Sequence, residues 1–92
     1  MKLKAEQYAQ QVIQSKTALV LPDGLRTLGE IKLAQGAQAA AESLIRQSIG
    51  LAQENEDRYL EAYGWRALAR LRSAGGQRAA SQAAFDRAIG LF

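Results

Sequence analysis

The chain has 92 residues and a formal net charge of +3 at pH 7, with one tryptophan, no cysteine and no histidine. This composition excludes disulfides, thiolate nucleophiles and the imidazole groups that supply most general bases and metal ligands. Alanine, leucine, glutamine, glutamate and arginine dominate, and because these residues favour helices, the sequence predicts a single all-α domain. No apolar stretch approaches the length of a transmembrane helix, which predicts a cytoplasmic protein that makes no membrane contact.

Glycine and proline divide the sequence into five predicted helices. The segment LPDG at 21–24 predicts a break, because proline cannot continue a helix and glycine suits a turn. Gly36 and the pair Gly75–Gly76 are predicted to end the helices before them, since glycine accepts the left-handed conformation. The predicted helices span about 2–19, 25–35, 38–53, 58–74 and 78 to the end.

Two segments of the chain are nearly the same, LRTLGEIKLAQGAQAAA from Leu25 and WRALARLRSAGGQRAAS from Trp65. A partial third copy, AEQYAQQVI from Ala5, matches AESLIRQSI from Ala41. Self-similarity at such a spacing predicts a solenoid, in which each unit covers the apolar face of its neighbour. We therefore expect one domain made of a half unit and two whole units, over 1–21, 22–61 and 62–92.

The two whole units resemble the tetratricopeptide repeat in the order of their large, small and glycine positions. The positions that carry this resemblance are the pairs Leu25 and Trp65, Leu28 and Leu68, Gly29 and Ala69, Gly36 and Gly76, Ala41 and Ser81, and Ile45 and Phe85. Lys32 and Arg72 stand where the family has tyrosine, and the spacing of the two units exceeds the usual length of about 34 residues. The resemblance implies a right-handed antiparallel α-helical solenoid of about two and a half units. Its long units are similar to those of large bacterial regulators, of which the chain would be a piece.

The resemblance also implies a peptide-binding site. In this family the matching face of the first helix lines a concave groove that holds peptides. Tyr63, Arg66 and Arg70 are three and four residues apart and so share one helical face, and Arg26 and Glu30 are the equivalents of the two arginines in the preceding unit. Because guanidinium groups suit carboxylates, we expect the groove to bind an acidic peptide or a C-terminal carboxylate. The alternative is an exposed basic face that serves only solubility.

Three other groups of residues have simpler interpretations. Residues 62–92 hold five arginines, but Arg72 lies two residues from Arg70 and hence on another side of the helix, which argues against nucleic-acid binding. Trp65 occupies the large-residue position of the repeat and is predicted to pack between helices. The acidic segment at 54–57 is predicted to be a solvated turn, in which Asn55 or Asp57 caps the next helix, rather than a cation site.

The C-terminal helix is predicted to mediate self-association. Phe85, Ile89 and Phe92 fall on one side of it, and no capping helix with a polar outer face follows. The alternative is that this end simply frays. The sequence thus predicts a non-catalytic protein-interaction module that forms homo-oligomers through its terminal helices and uses no metal or cofactor. The alternative function is a structural spacer from a larger regulator, or an engineered repeat, with no ligand of its own.

Overall fold

The computed structural model describes residues 6–7 and 21–91, and these residues are all-helical, with no strand. Four complete helices are described: α1 (Leu21–Ala34), α2 (Gln38–Glu54), α3 (Arg58–Ala74) and α4 (Arg78–Leu91). The all-α class is therefore confirmed for this part of the chain. The last three helices begin at the predicted residues, and α2 and α3 end within one residue of the predicted positions.

The first described helix differs from the prediction at its start. The segment LPDG is the first turn of α1 and not a break, because α1 begins at Leu21 and contains Pro22. Proline is tolerated there, since the first N–H groups of a helix have no intrahelical partner. The first of the five predicted helices, over 2–19, lies outside the described residues, apart from Glu6 and Gln7, which are helical.

The three turns between the helices share one backbone geometry. Each contains a residue with positive φ, and these residues are evenly spaced along the chain: Gly36 at 83°, Glu56 at 55° and Gly76 at 76°. The next N–H donates to the carbonyl five residues earlier in every turn, from Ala37 to Lys32 at 2.9 Å, from Asp57 to Ala52 at 2.9 Å and from Gln77 to Arg72 at 2.8 Å. This is the Schellman pattern of helix C-termini. Between these three residues, one helix and one turn thus form two steps of equal length.

Side chains at the helix starts reinforce this geometry unequally. Asp57 caps α3, because its carboxylate accepts a hydrogen bond of 3.0 Å from the Leu60 N–H. This confirms one of the two predicted caps. Ala37, at the start of α2, makes no such side-chain bond. In α2, the buried Ser48 hydroxyl donates to the Pro22 carbonyl at 2.6 Å, and this bond ties α2 to the first turn of α1.

The helices pack in chain order, with each one against the next, and α1 also packs against α3. No Cα atom of α2 approaches α4 within 8 Å. Because α1 and α3 approach each other while α2 and α4 are held apart, α1 and α3 form the inner layer of the array. The short turns make consecutive helices antiparallel. This packing is compatible with an α-solenoid.

Close approach of the helices depends on two glycines. A Cβ on Gly29 of α1 would lie 2.8 Å from Ile45 Cγ1, and one on Gly64 of α3 would lie 2.6 Å from Ile49 Cγ1. Around these contacts lies the main core cluster, Ala41, Ile45, Ile49, Ala67, Leu68, Ala69, Leu71 and Ala84. Most of these residues belong to α2 and α3, so the core is centred between the two units. None of the helices in the described ranges has the length and apolar content needed to cross a bilayer.

Candidate peptide-binding face

The five residues predicted to bind a peptide lie on the two inner helices. Arg26 and Glu30 belong to α1, and Tyr63, Arg66 and Arg70 belong to α3. Their spacing within each helix places them on one face, and the packing of α1 on α3 brings the two sets together. We call these five residues the inner face.

Tyr63 joins the two helices of the inner face through its ring. The Arg26 guanidinium carbon lies 5.5 Å from the ring centroid, and the Arg66 guanidinium carbon lies 5.1 Å from it. Both distances are within the range of cation–π attraction. The tyrosine therefore holds one arginine from each repeat unit beside the same aromatic surface.

Carboxylates neutralise part of the positive charge of the inner face. Arg26 donates to Glu30 at 2.9 Å and also pairs with Asp23, and its buried Nε has no hydrogen-bond partner among the residues that the structure describes. The second oxygen of Glu30 accepts from Arg70 at 3.1 Å, which links α1 to α3. Arg26 and Glu30 thus act mainly on each other and on their neighbours.

Arg66 is half-buried and Arg70 is exposed, and both arginines of α3 border an open depression. Within the described part of the chain, Arg66 forms no ion pair with a carboxylate, and its only charge contact is the Tyr63 ring. The Arg70 side chain is 59% exposed despite its bond to Glu30. Both arginines line a depression of about 270 Å³ together with Phe85. A separate depression of about 340 Å³ lies beside Arg26 and Glu30 on α1. Two guanidinium groups with free donors therefore border an open, partly apolar hollow.

Two further arginines of the last third of the chain, Arg72 and Arg87, contact residues outside the inner face. Arg72 binds Glu42 of α2 through two hydrogen bonds of 2.9 and 3.1 Å. The Arg87 guanidinium carbon lies 4.9 Å from the ring centroid of Trp65. Arg72 and Arg87 are therefore engaged in separate contacts within the fold. Trp65 is partly buried against the core and donates to Glu61 at 3.0 Å, so its predicted packing role is confirmed.

The carboxyl group of Glu42 accepts hydrogen bonds from two arginines. Hydrogen bonds from Arg72, and then from Arg46 at 2.8 Å, lower the pKa of this carboxyl below its ordinary value of 4.5. The charged form of Glu42 is therefore favoured when α2 and α3 are packed together. The local spacing of Glu42 and Arg46 is visible in the sequence, whereas the contact with Arg72 crosses 30 residues.

We expect the hydrogen bonds between Glu42 and its two arginines to make the free energy of unfolding depend on pH in acid. Because the folded-state pKa lies below the unfolded-state value, the stabilisation is complete above about pH 4.5 and is lost as the pH falls through the folded-state pKa. Urea unfolding at a series of pH values, compared between the wild type and Glu42→Gln, measures this contribution. The variant should be less stable near neutrality and should lose less stability on acidification. Parallel pH profiles would contradict the assignment.

The remaining predicted residues are placed as follows. Phe85 and Ile89 are exposed on α4 at 43% and 56%, and Phe92 lies outside the described residues. The acidic segment at 54–57 lies at the turn between α2 and α3, and its Asp57 caps α3. Within residues 6–7 and 21–91, no three acidic side chains are grouped closely enough to hold a metal ion.

The sequence and the structure were compared with known proteins, and no relative was found. No family model matches the sequence, and no match is found among curated proteins or among solved structures. The described fold and face define an all-helical array of antiparallel helices with a basic inner surface.

Proposed function

We propose that the protein is a non-catalytic protein-interaction module of the cytoplasm whose inner face binds an acidic peptide segment. The observation that carries this proposal is that Arg66 and Arg70 border an open depression. Among the described residues, the Arg66 guanidinium contacts the Tyr63 ring and forms no ion pair with a carboxylate. The planar fork of an arginine suits bidentate binding of a carboxylate, and the tyrosine ring offers apolar contact beside it. Arg26 and Glu30 hold this arrangement from α1.

We further infer that the helices form a right-handed solenoid of about two and a half tetratricopeptide-like units. The repeated turn geometry, with evenly spaced left-handed residues, supports equal helix–turn steps. The packing of α1 on α3 supports an inner layer that corresponds to the concave surface of such repeats. The sequence agreement between the segments that begin at Leu25 and Trp65 supports two copies of the same unit.

Calorimetric titration with terminally blocked peptides tests the proposed ligand. We expect saturable binding of short peptides in which two or three carboxylates flank an apolar residue, and weaker binding of the corresponding amide peptides. Arg66→Ala combined with Arg70→Ala should reduce the affinity by about tenfold or more, because charge-assisted hydrogen bonds are lost. The control is Arg58→Ala with Arg78→Ala, which removes the same charge from exposed positions outside the inner face.

The alternative function predicts a different outcome. A structural spacer, or an engineered repeat with no ligand of its own, would show no saturable binding of any acidic peptide. Equal losses in the two double variants would also contradict the proposal, because they would reflect net charge alone.

Self-association through α4 is the second part of the proposal. Phe85 and Ile89 together leave a large part of their apolar surface uncovered, and burying such surface is favourable. We expect sedimentation velocity at increasing concentration to show reversible association, and Ile89→Glu to shift the protein toward the monomer. A strictly monomeric wild type at high concentration would contradict this part alone.

A further inference from the structure

In the register of the internal repeat, the outer edge formed by α3 and α4 is equivalent to the edge formed by α1 and α2. Phe85 occupies the position of Ile45, and Ile89 occupies that of Ile49. Ile45 and Ile49 are 0% and 6% exposed, whereas their equivalents are 43% and 56% exposed. The first edge is covered by α3, and within the described residues no helix covers the second. We call the second surface the open edge.

The way in which α3 covers the first edge shows what such an edge accepts. Gly64 lies directly against Ile49, where a Cβ would come within 2.6 Å of Cγ1. Four and seven residues later, Leu68 and Leu71 enter the core cluster that contains Ile49. Arg70, six residues after the glycine, donates to a glutamate on α1. The covering helix therefore presents a small residue, two large apolar residues, and two arginines, Arg70 and Arg72, that pair with carboxylates of the edge.

The open edge lacks the two carboxylates that the first edge presents to α3. Arg70 occupies the position of Glu30, and Gln82 that of Glu42. Both Arg70 and Gln82, with Arg66, line the depression of about 270 Å³. A helix that covers this edge in the manner of α3 needs a carboxylate at the position where α3 has Arg70. An arginine at that position would face Arg70, and like charges at such a contact are destabilising.

We propose that the open edge binds an amphipathic α-helix of a partner protein with a defined spacing. The helix carries a small residue, large apolar residues four and seven positions later, and a carboxylate six positions later. The inference rests on the proposed interaction role, but its apolar contacts, Phe85 and Ile89, lie outside the inner face. The small residue packs on Ile89, the carboxylate pairs with Arg70 and Arg66, and the two apolar residues cover Phe85.

The chain itself provides a probe with this pattern. In α1, Gly24 is followed by Leu28, Glu30 and Ile31 at four, six and seven positions. A blocked peptide of residues 21–34 tests the open edge when it is titrated into the isotope-labelled full chain. Since a helix this short is marginal in water, the titration extends to millimolar peptide. We expect saturable binding with the largest amide shifts on the exposed side of α4, around Ile89.

Matched variants separate specific docking of a helix from general attraction between charges. The same peptide with Glu30→Arg, which copies the residue of α3, should bind at least tenfold more weakly. Ile89→Glu in the full chain should abolish binding of the helical peptide, with an unchanged helical spectrum by circular dichroism, and should leave binding of the extended acidic peptides intact. Tyr63→Ala should weaken the extended peptides and leave the helical peptide bound.

Four results would overturn the inference, and the first three concern the peptide. These are no saturable binding of the peptide, equal binding of the arginine peptide, or shifts centred on α2, which would mean exchange with the chain's own α1. Association of the chain through α4 that the peptide does not displace would show that a second copy occupies the edge instead. Loss of extended-peptide binding alone would contradict the proposed inner-face function and not this inference.

Discussion

Replacing Ile45 by alanine is expected to lower the free energy of unfolding by about 2–5 kcal/mol. Ile45 is completely buried, and it lies against Gly29 of α1 within a core cluster that α3 completes. The truncation removes apolar contacts from both neighbouring helices and leaves a cavity that the close-packed helices cannot fill. Urea unfolding followed by circular dichroism measures the loss.

Phe85→Ala is the matched control for Ile45→Ala. Phe85 occupies the equivalent position of the second unit, but 43% of its surface is exposed. Its truncation should cost less than about 1.5 kcal/mol, although it removes more atoms. Equal losses at the two positions would show that the open edge is covered in solution, and would contradict the difference between the units.

Gly64→Ala is expected to destabilise the protein by about 1–3 kcal/mol, since overpacking displaces neighbouring side chains. The new Cβ would lie 2.6 Å from Ile49 Cγ1, so α3 must move away from α2 or Ile49 must change its rotamer. Gly50→Ala, in the interior of α2, should instead stabilise the protein by about 0.5–1 kcal/mol, because no atom lies within 4 Å of its new Cβ. Thermal unfolding of both variants should show shifts of opposite sign. Shifts of the same sign would contradict the close contact of α2 and α3.

Most of the helix boundaries were predictable because local residues determine them. Gly36 and Gly76 adopt the left-handed conformation at the turns, and Asp57 caps α3. The turn at Glu56 has the same geometry without glycine, and only the acidic residues around it indicated its position. Pro22 was misinterpreted because proline ends a helix from its interior but is compatible with the first turn. No local signal distinguishes the two situations.

The candidate site was predictable in its membership but not in its charge balance. Helical spacing placed Tyr63, Arg66 and Arg70 together, and the repeat added Arg26 and Glu30. The bond from Arg70 to Glu30 joins two separate repeat units, so the partial neutralisation of the face depends on how α1 packs against α3.

One further signal of the fold was present in the sequence. The large apolar residues Leu25, Ile45, Trp65 and Phe85 are evenly spaced along the chain, one on each of the four helices. This spacing is that of a single helix and its turn, half of the repeat unit. It indicates the equal helix–turn steps that the structure contains.

The most direct test of the proposed role of Arg66 and Arg70 is to map where an acidic peptide binds on the isotope-labelled protein. If these two arginines bind the peptide, the largest changes in backbone amide chemical shift will occur at Tyr63, Arg66 and Arg70. Smaller changes will occur on α1 at Arg26. Shifts that are absent at saturating peptide, or that are confined to the outer helix α2, would contradict this role.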